Sequence, residues 1–366
     1  MTFIRNDWYV AAWPEEVTEK PLARRLGNQP VVLYREKSGR AVALLDRCPH
    51  RGAPLSRGEV VETGLQCNYH GLIFGGDGKC ITIPNQERIP TKACAKAFPL
   101  VEKDGFLWIW LGDPEKADES KIIDYPYHND EATWPRRTGM MRVEGHYMLM
   151  VDNLMDLTHV GYMHKQTIGS GPANEYSEAL MDVNRTDTGV HFIRWLLNHE
   201  PPATYVKAGG FKGKVDRWQE FDFVAPGNVL QYTGATDVGT GAYDQNKREG
   251  GIALRIFHGL TPETDTTSFY FFSTMAGYNQ ADPKTSDLYH SEVLKTFVED
   301  VQFISEQQSR LDEYPEPQID TIHDSARIQA RRHYQSRMEQ EARERAERES
   351  QQSTAQLAPE LAGVHG

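Results

Sequence analysis

The sequence predicts an α+β chain in two parts: an all-β domain over residues 1–115, then a domain over 116–335 built on an antiparallel sheet flanked by helices. Short apolar runs separated by glycine-rich turns fill the first part. The second part combines helical patterning at 146–165, strand alternation from about 190 to 275 and a long helix at 284–312. Few of its connections look like parallel crossovers, which disfavours a doubly wound sheet.

In the first part, residues 30–35 and 41–45 read as strands around a turn at Ser38-Gly39-Arg40. Residues 71–74 and 80–83 flank Gly75-Gly76-Asp77-Gly78, a hairpin signal. Residues 105–111 form an aromatic, buried strand that stops at Gly112-Asp113-Pro114, where charge rises and the first domain is expected to end. Loops are expected at 169–173 and across the glycine-rich stretch 234–251. The final segment, 336–366, reads as a charged tail, disordered or a solvated helix with Glu339→Arg343 and Glu341→Arg345 as i,i+4 pairs.

With 366 residues, of which 7 are Trp, 16 Tyr and 14 Phe, the chain has ample material for two cores. A net charge of -12 argues against general nucleic-acid binding. No apolar run approaches a membrane span, and the polar start Met1-Thr2-Phe3-Ile4-Arg5-Asn6-Asp7 does not read as a signal peptide, so a reducing cytoplasm is expected. Cys80 and Cys94 read as ordinary thiols.

Two other cysteines carry the first chemical signal. Cys48-Pro49-His50 is followed, with sixteen residues between, by Cys67-Asn68-Tyr69-His70. Two thiolates and two imidazoles could meet by chance or form a Cys₂His₂ zinc site. They could also hold a Rieske [2Fe–2S] centre, in which two Cys bind one iron and two His the other. Zinc fingers commonly pair like with like, whereas here each loop offers one of each type. Pro49, Gly52, Pro54 and Gly71 allow backbone N–H groups to turn toward a cluster's sulfides.

The second signal is the run Asp152-Asn153-Leu154-Met155-Asp156-Leu157-Thr158-His159, with His164 five residues on. On a regular helix, residues five apart point about 140° apart. A shared metal therefore requires a break, and Gly161 is where one is expected. An iron–sulfur centre alone only passes electrons. Chemistry would need a second, open site, for which two His and one carboxylate are the facial triad of non-haem Fe(II). On the wheel of the 284–312 helix, Asp300 lies at the edge of an apolar arc containing Val293, Ile304 and Phe297. Glu299 falls on the polar side with Glu292, Lys295, Gln302 and Glu306. Asp300 is the expected third ligand, and Glu299 the solvated acid. A buried salt bridge is the other use for Asp300.

Taken with Asn6-Asp7-Trp8-Tyr9-Val10-Ala11-Ala12 and Glu299-Asp300, these motifs give residues 3–330 a resemblance to the oxygenase component of Rieske non-haem iron oxygenases, of the vanillate and dicamba O-demethylase type. The resemblance implies a helix-grip catalytic domain, with Cys48 and Cys67 on one cluster iron and His50 and His70 on the other. His159, His164 and Asp300 would hold a mononuclear Fe(II). Asp156 would bridge His70 and His159 across a subunit boundary of a homotrimer, Asn153 would position groups at the iron, and His258 would contact substrate. A strand histidine facing solvent is an equal reading for His258. Further implications are a separate NAD(P)H-dependent reductase, O₂, and an aromatic acid losing a methyl group. Ring dihydroxylation, another methyl hydroxylation, and an electron-transfer or zinc module without catalysis remain the alternatives.

Overall fold

The structure, a computed structural model, describes residues 3–362, with side chains through Gln351. The N-terminal half contains β1 (Trp8–Ala12), β2 (Leu22–Leu26), β3 (Gln29–Arg35), β4 (Ala41–Leu45), β5 (Glu59–Val61), β6 (Gly64–Gln66), β7 (Ile73–Phe74), β8 (Cys80–Thr82), β9 (Ala97–Phe98), β10 (Leu100–Lys103) and β11 (Phe106–Trp110). They form three small antiparallel sheets, ordered β1-β11-β10, β2-β3-β4-β9 and β5-β6-β7-β8. The two expected hairpins are β3–β4 and β7–β8. Between Phe106 and Trp110 the chain is buried at every residue, which is why this strand reads as continuous and not alternating.

From Pro114 to Asn129 the chain makes 3₁₀ turns, with Asp113 and Asp118 capping the first two. The second half then contains β12 (Arg136–Val143), α1 (Tyr147–Met155), α2 (Val160–Met163), α3 (Glu175–Glu178), β13 (Leu180–Arg185) and β14 (Gly189–His199). After these come α4 (Ala203–Gly209), β15 (Val215–Val224), β16 (Asn228–Asp237), β17 (Ile252–Pro262), β18 (Ser268–Ala276), α5 (Pro283–Glu313) and α6 (Ser325–Ala362). One seven-stranded sheet runs β12-β18-β17-β16-β15-β14-β13, antiparallel throughout, as expected. The glycine-rich stretch is shorter as a loop than expected, because β16 continues to Asp237 and pairs Ala235 with Ile252. Asp282 caps α5 by accepting from Lys284 N, and Pro283 fills its first turn.

The halves share a core. Phe106 lies 4.4 Å from Phe257 between ring centroids, and the Thr261 hydroxyl donates to the Val10 carbonyl at 2.7 Å. Gly259 is required here, because a Cβ would lie 3.0 Å from Val10 Cγ2 and 2.8 Å from Phe257. A separate core of the N-terminal half gathers Leu55, Leu65, Leu72 and Phe74 around Cys48 and Cys67.

The described part of the charged segment is helix, one of the two expected forms, but it is docked on the N-terminal half and not free in solvent. Ala326, Ala330 and Tyr334 bury the near end of α6. Beyond residue 336 it docks through charge. Arg337 pairs with Asp7 at 2.7 Å, and the Glu341 carboxylate accepts from Arg5 N at 2.9 Å and Asn6 N at 2.7 Å. Glu344 meets Lys116, and Arg348 meets Asp113. Glu341 is thus spent on the N-terminal backbone and not on Arg345, which instead approaches Glu349 at 4.0 Å. A helix without an apolar stripe is held because its charges complete backbone groups elsewhere. The last residues of the expected tail lie outside those described.

Two predictions follow from this packing. Glu341→Ala, leaving two partly buried N–H groups unmet, is expected to lower unfolding free energy by about 1.5–3 kcal/mol, read by denaturant titration. A loss under 0.5 kcal/mol would contradict the clamp. The second concerns His128, which stacks on Phe106 at 4.5 Å, donates from Nδ1 to the Asp104 carbonyl at 3.0 Å and accepts at Nε2 from Ser273 Oγ at 2.7 Å. Burial, aided by nearby Arg136, pushes its pKa down to about 4. The unfolded chain takes up this proton near its ordinary value of 6.5. The stabilisation is therefore complete above that pH and is lost as pH falls toward 4, amounting to about 3 kcal/mol. His128→Gln should flatten the stability–pH profile in that window.

Candidate metal centres and substrate cavity

Both loops of the Cys/His motif are built on one local plan. Cys48 N donates to the Ala53 carbonyl at 2.8 Å, and Gly52 N to the Cys48 carbonyl at 2.9 Å. In the second loop Cys67 N donates to the Leu72 carbonyl at 2.8 Å, and Gly71 N to the Cys67 carbonyl at 2.9 Å. Gly52 and Gly71 adopt φ of 75° and 73°, the left-handed region that a side chain would strain. The thiols are buried side by side, while His50 and His70 are exposed, their ring centroids 4.6 Å apart. Burial pushes the Cys48 thiol up, and the backbone N–H groups of His50 and Arg51 oppose this. A cation is what would hold such a sulfur as thiolate. Among the described residues, the one group of three or more potential ligands with donor atoms all within 4.8 Å of one another is elsewhere. Each loop contributes one thiol and one imidazole, the thiols buried and the imidazoles exposed. That favours a two-metal core over a single zinc.

The close group is His159, His164 and Asp300, as the sequence suggested. The chain breaks on either side of the histidine pair and not at Gly161: before it at Asp156, and at His164, whose backbone leaves α2 with φ -106° and ψ 30°. Helix α1 ends at Met155, Asp156 turns extended with φ -131°, and residues 157–159 form a 3₁₀ turn before α2. The Asp156 carboxylate caps that turn, with Oδ1 accepting from Thr158 N at 2.9 Å and Thr158 Oγ1 at 2.8 Å. Gly161 keeps the helix and serves packing instead, since a Cβ there would lie 2.7 Å from Tyr176 and 2.8 Å from Ala173 Cα.

Each imidazole is held by Nδ1 and presents Nε2. His159 Nδ1 donates to the Asp156 main-chain carbonyl at 2.7 Å, and His164 Nδ1 to Glu299 Oε2 at 2.6 Å. His164 Nε2 lies 3.0 Å from Asp300 Oδ1, and His159 Nε2 lies 3.7 Å from it. Adjacent ligands of one octahedral ion stand about 3 Å apart. Asn153 lies between them, its Nδ2 donating to Asp300 Oδ1 at 2.9 Å and standing 3.5 Å from His159 Nε2. Burial lowers the His159 pKa. Burial also works against protonation of His164, but its bonds to Asp300 and Glu299 outweigh this and raise it. Two imidazoles and a carboxylate 5% exposed, with all three donor atoms converging, suit a divalent iron.

Three expectations need correction. Glu299 is not simply solvated. The wheel placed it opposite the core, but the 157–164 segment packs over that flank and His164 turns to meet it. The Asp156 carboxylate does not contact His159 within the chain, because Thr158 occupies Oδ1, and it is the main-chain carbonyl that holds the ring. His258 is fully buried and not solvent-facing, bonded to the Tyr270 hydroxyl at 2.7 Å and Gln231 Oε1 at 3.0 Å. Burial pushes its pKa down to about 3, so it is neutral. It lines a narrow cavity of about 50 Å³ under the triad, together with Leu154, Leu157, Ile256 and Phe297. An aromatic guest must displace side chains to enter. None of the four cysteines forms a disulfide. No helix among the described residues is long and apolar enough to cross a membrane.

Comparison with known proteins agrees with this geometry. Residues 7–94 match the model of the Rieske [2Fe–2S] domain, and residues 143–340 that of the vanillate O-demethylase oxygenase C-terminal domain. The chain is 37% identical over 332 residues to the iron–sulfur subunit of a toluene-4-sulfonate monooxygenase system from Comamonas testosteroni, covering 90% of this chain and 95% of that one. It is 36% identical over 338 residues to a vanillate O-demethylase oxygenase subunit from Pseudomonas sp., covering 90% and 93%. The crystal structure of dicamba monooxygenase bound to 3,6-dichlorosalicylic acid superposes with a TM-score of 0.86 at 33% identity, covering 93% of this chain and 99% of that one.

Metal analysis tests the triad. Asp300→Asn is expected to reduce iron from three atoms per chain to two while the cluster's visible absorbance stays. Glu299→Gln should keep the site but weaken iron retention about 10- to 100-fold, read by chelator competition.

Proposed function

This chain belongs to the vanillate O-demethylase family of Rieske oxygenase components, and on that premise we propose that it hydroxylates a methyl or methoxy carbon of an aromatic acid with O₂. The observation that carries the reading is the triad: two Nε2 atoms and one carboxylate oxygen converge at the wall of a largely apolar cavity. In this reading Cys48 and Cys67 hold one cluster iron and His50 and His70 the other, while His159, His164 and Asp300 hold the mononuclear iron. When bound, the cluster supplies single electrons and the mononuclear iron activates O₂. For a methoxy substrate the balance is one O₂, two electrons and two protons, giving a phenol, formaldehyde and water. A separate NAD(P)H-dependent reductase supplies the electrons.

The chain's own groups do the positioning. Glu299 and the Asp156 carbonyl fix both imidazole tautomers, and Asn153 steadies the Asp300 carboxylate. His258, neutral and bonded at both ring nitrogens to Tyr270 and Gln231, would meet substrate by turning its Nε2–H from Gln231 Oε1 to the guest. Asp156 is the link to a neighbouring copy. Among the described residues its Oδ2 has no hydrogen bond, and none joins His50 or His70 to Asp156 within one chain. In a homotrimer, Oδ2 would accept from His70 of the partner subunit while the carbonyl of the same residue holds His159. Cys80 and Cys94, which form no disulfide, accord with a cytoplasmic setting.

A second reading is methyl hydroxylation that stops at the alcohol. The toluene-4-sulfonate relative favours it, since that compound has an aryl methyl and no methoxy group. Incubation with a compatible reductase, NADH and methoxylated or methylated aromatic acids separates the readings. Stoichiometric formaldehyde shows demethylation, a stable benzylic alcohol shows the second reading, and a cis-diol would overturn both. Asp156→Asn should keep three irons per chain but lower turnover at least about 100-fold by weakening the junction between the sites. Unchanged turnover would remove the bridge.

A further inference from the structure

The cavity under the triad contains a cation that neither metal centre uses. Arg217 lies on β15, where Val215, Arg217, Gln219, Phe221 and Phe223 alternate inward. It is 2% exposed and lines the same cavity as His159, His164 and Asp300. Its Nη1 donates to the Ile168 carbonyl at 3.0 Å and the Tyr176 hydroxyl at 3.2 Å. Its guanidinium stands 5.1 Å from the Tyr205 ring centroid. Nε is buried with no hydrogen-bond partner.

All of these neighbours are neutral. Among the described residues no carboxylate forms an ion pair with Arg217, whereas the less buried Arg24 pairs with Glu16 at 2.9 Å. Arg194, the other buried arginine on this side, has the Asp156 charge nearby. A guanidinium is always charged, and a buried charge without a counter-ion is costly unless something supplies one. Two more groups on this cavity are buried and unmet: Gln219 Oε1 and Thr296 Oγ1. The wall therefore offers one unneutralised cation and two unused polar atoms in an otherwise apolar space, the mark of a site that orients a ligand by few polar contacts.

We propose that Arg217 is the anchor for the substrate's oxyanion, a carboxylate or sulfonate on an aromatic ring. This rests on the oxygenase reading and adds to it the residue that selects the substrate class. Pairing at Arg217 fixes one end of the ring, so the carbon presented to His159, His164 and Asp300 is set by its distance from the acid group. A planar guanidinium suits this, because it can accept either oxyanion through parallel N–H donors.

The test is equilibrium binding to the iron-loaded protein without reductase or O₂, using benzoate, benzenesulfonate and neutral benzamide. Native protein is expected to prefer one or both anions over benzamide by about 30-fold or more, and the tighter anion assigns carboxylate or sulfonate. Arg217→Gln should lose that preference while iron content stays at three per chain, and Arg217→Lys should restore part of it. Equal binding of anions and benzamide by native protein overturns the proposal, and this arm needs no variant to fold. So does an Arg217→Gln protein that keeps the preference. Anion-selective binding lost in Arg217→Gln, without any product from methoxylated or methylated acids, would sink the oxygenase reading and leave the anchor standing. Product formation with no anion preference would do the reverse.

Discussion

A carboxylate held 5% exposed in the flank of a 31-residue helix is the constraint from which the catalytic half follows. An acid in that position is unfavourable unless other groups and a cation surround it. Asn153 reaches it from α1, His164 and His159 reach it from the segment beyond, and that segment can do so only because the helix is interrupted at Asp156. Glu299, one residue before, then steadies His164 from behind. Remove the buried acid and neither the interrupted helix nor the paired imidazoles has a purpose.

The sequence was most legible where residue type and spacing alone limit chemistry. Two loops that each offer a Cys and a His narrow the possibilities sharply, and the wheel placed Asp300 beside an apolar arc and thereby marked it. The same wheel misjudged Glu299, because it treats the face away from the apolar arc as water. Here a neighbouring segment brings His164 against Glu299, and Glu292 on the same face is buried against Lys207 and Lys295, while Lys295, Gln302 and Glu306 stay exposed. Gly161 could be read as a hinge or as a close approach. Only the position of Tyr176 and Ala173 decides between them. The docking of α6 was illegible for a different reason. Its partners are backbone N–H groups and single charges more than two hundred residues away, and no periodicity records them. Arg217 shares this difficulty, since an isolated arginine in a strand reads as exposed until its neighbours are known.

Asp156 shows how much one position can be asked to do. Its side chain caps a 3₁₀ turn, its carbonyl fixes a ligand imidazole, and one carboxylate oxygen is left over. Asparagine would preserve the turn and the carbonyl while changing only the remaining oxygen. The two glycine turns of the N-terminal half work in a comparable way. The same backbone closure, used twice, buries both sulfurs and leaves both imidazoles at the surface. The thiols face the protein's own core, and the nitrogens face whatever approaches from outside.

The contact between Glu341 and the backbone of Arg5 and Asn6 also bears on how the molecule is made. The strand at Trp8–Ala12 leaves the ribosome more than three hundred residues ahead of the carboxylate that meets the backbone just before it. During translation the nascent N-terminal half therefore waits with an unfinished border. A chain interrupted before α6 would carry a complete set of metal-binding side chains on an unsealed scaffold.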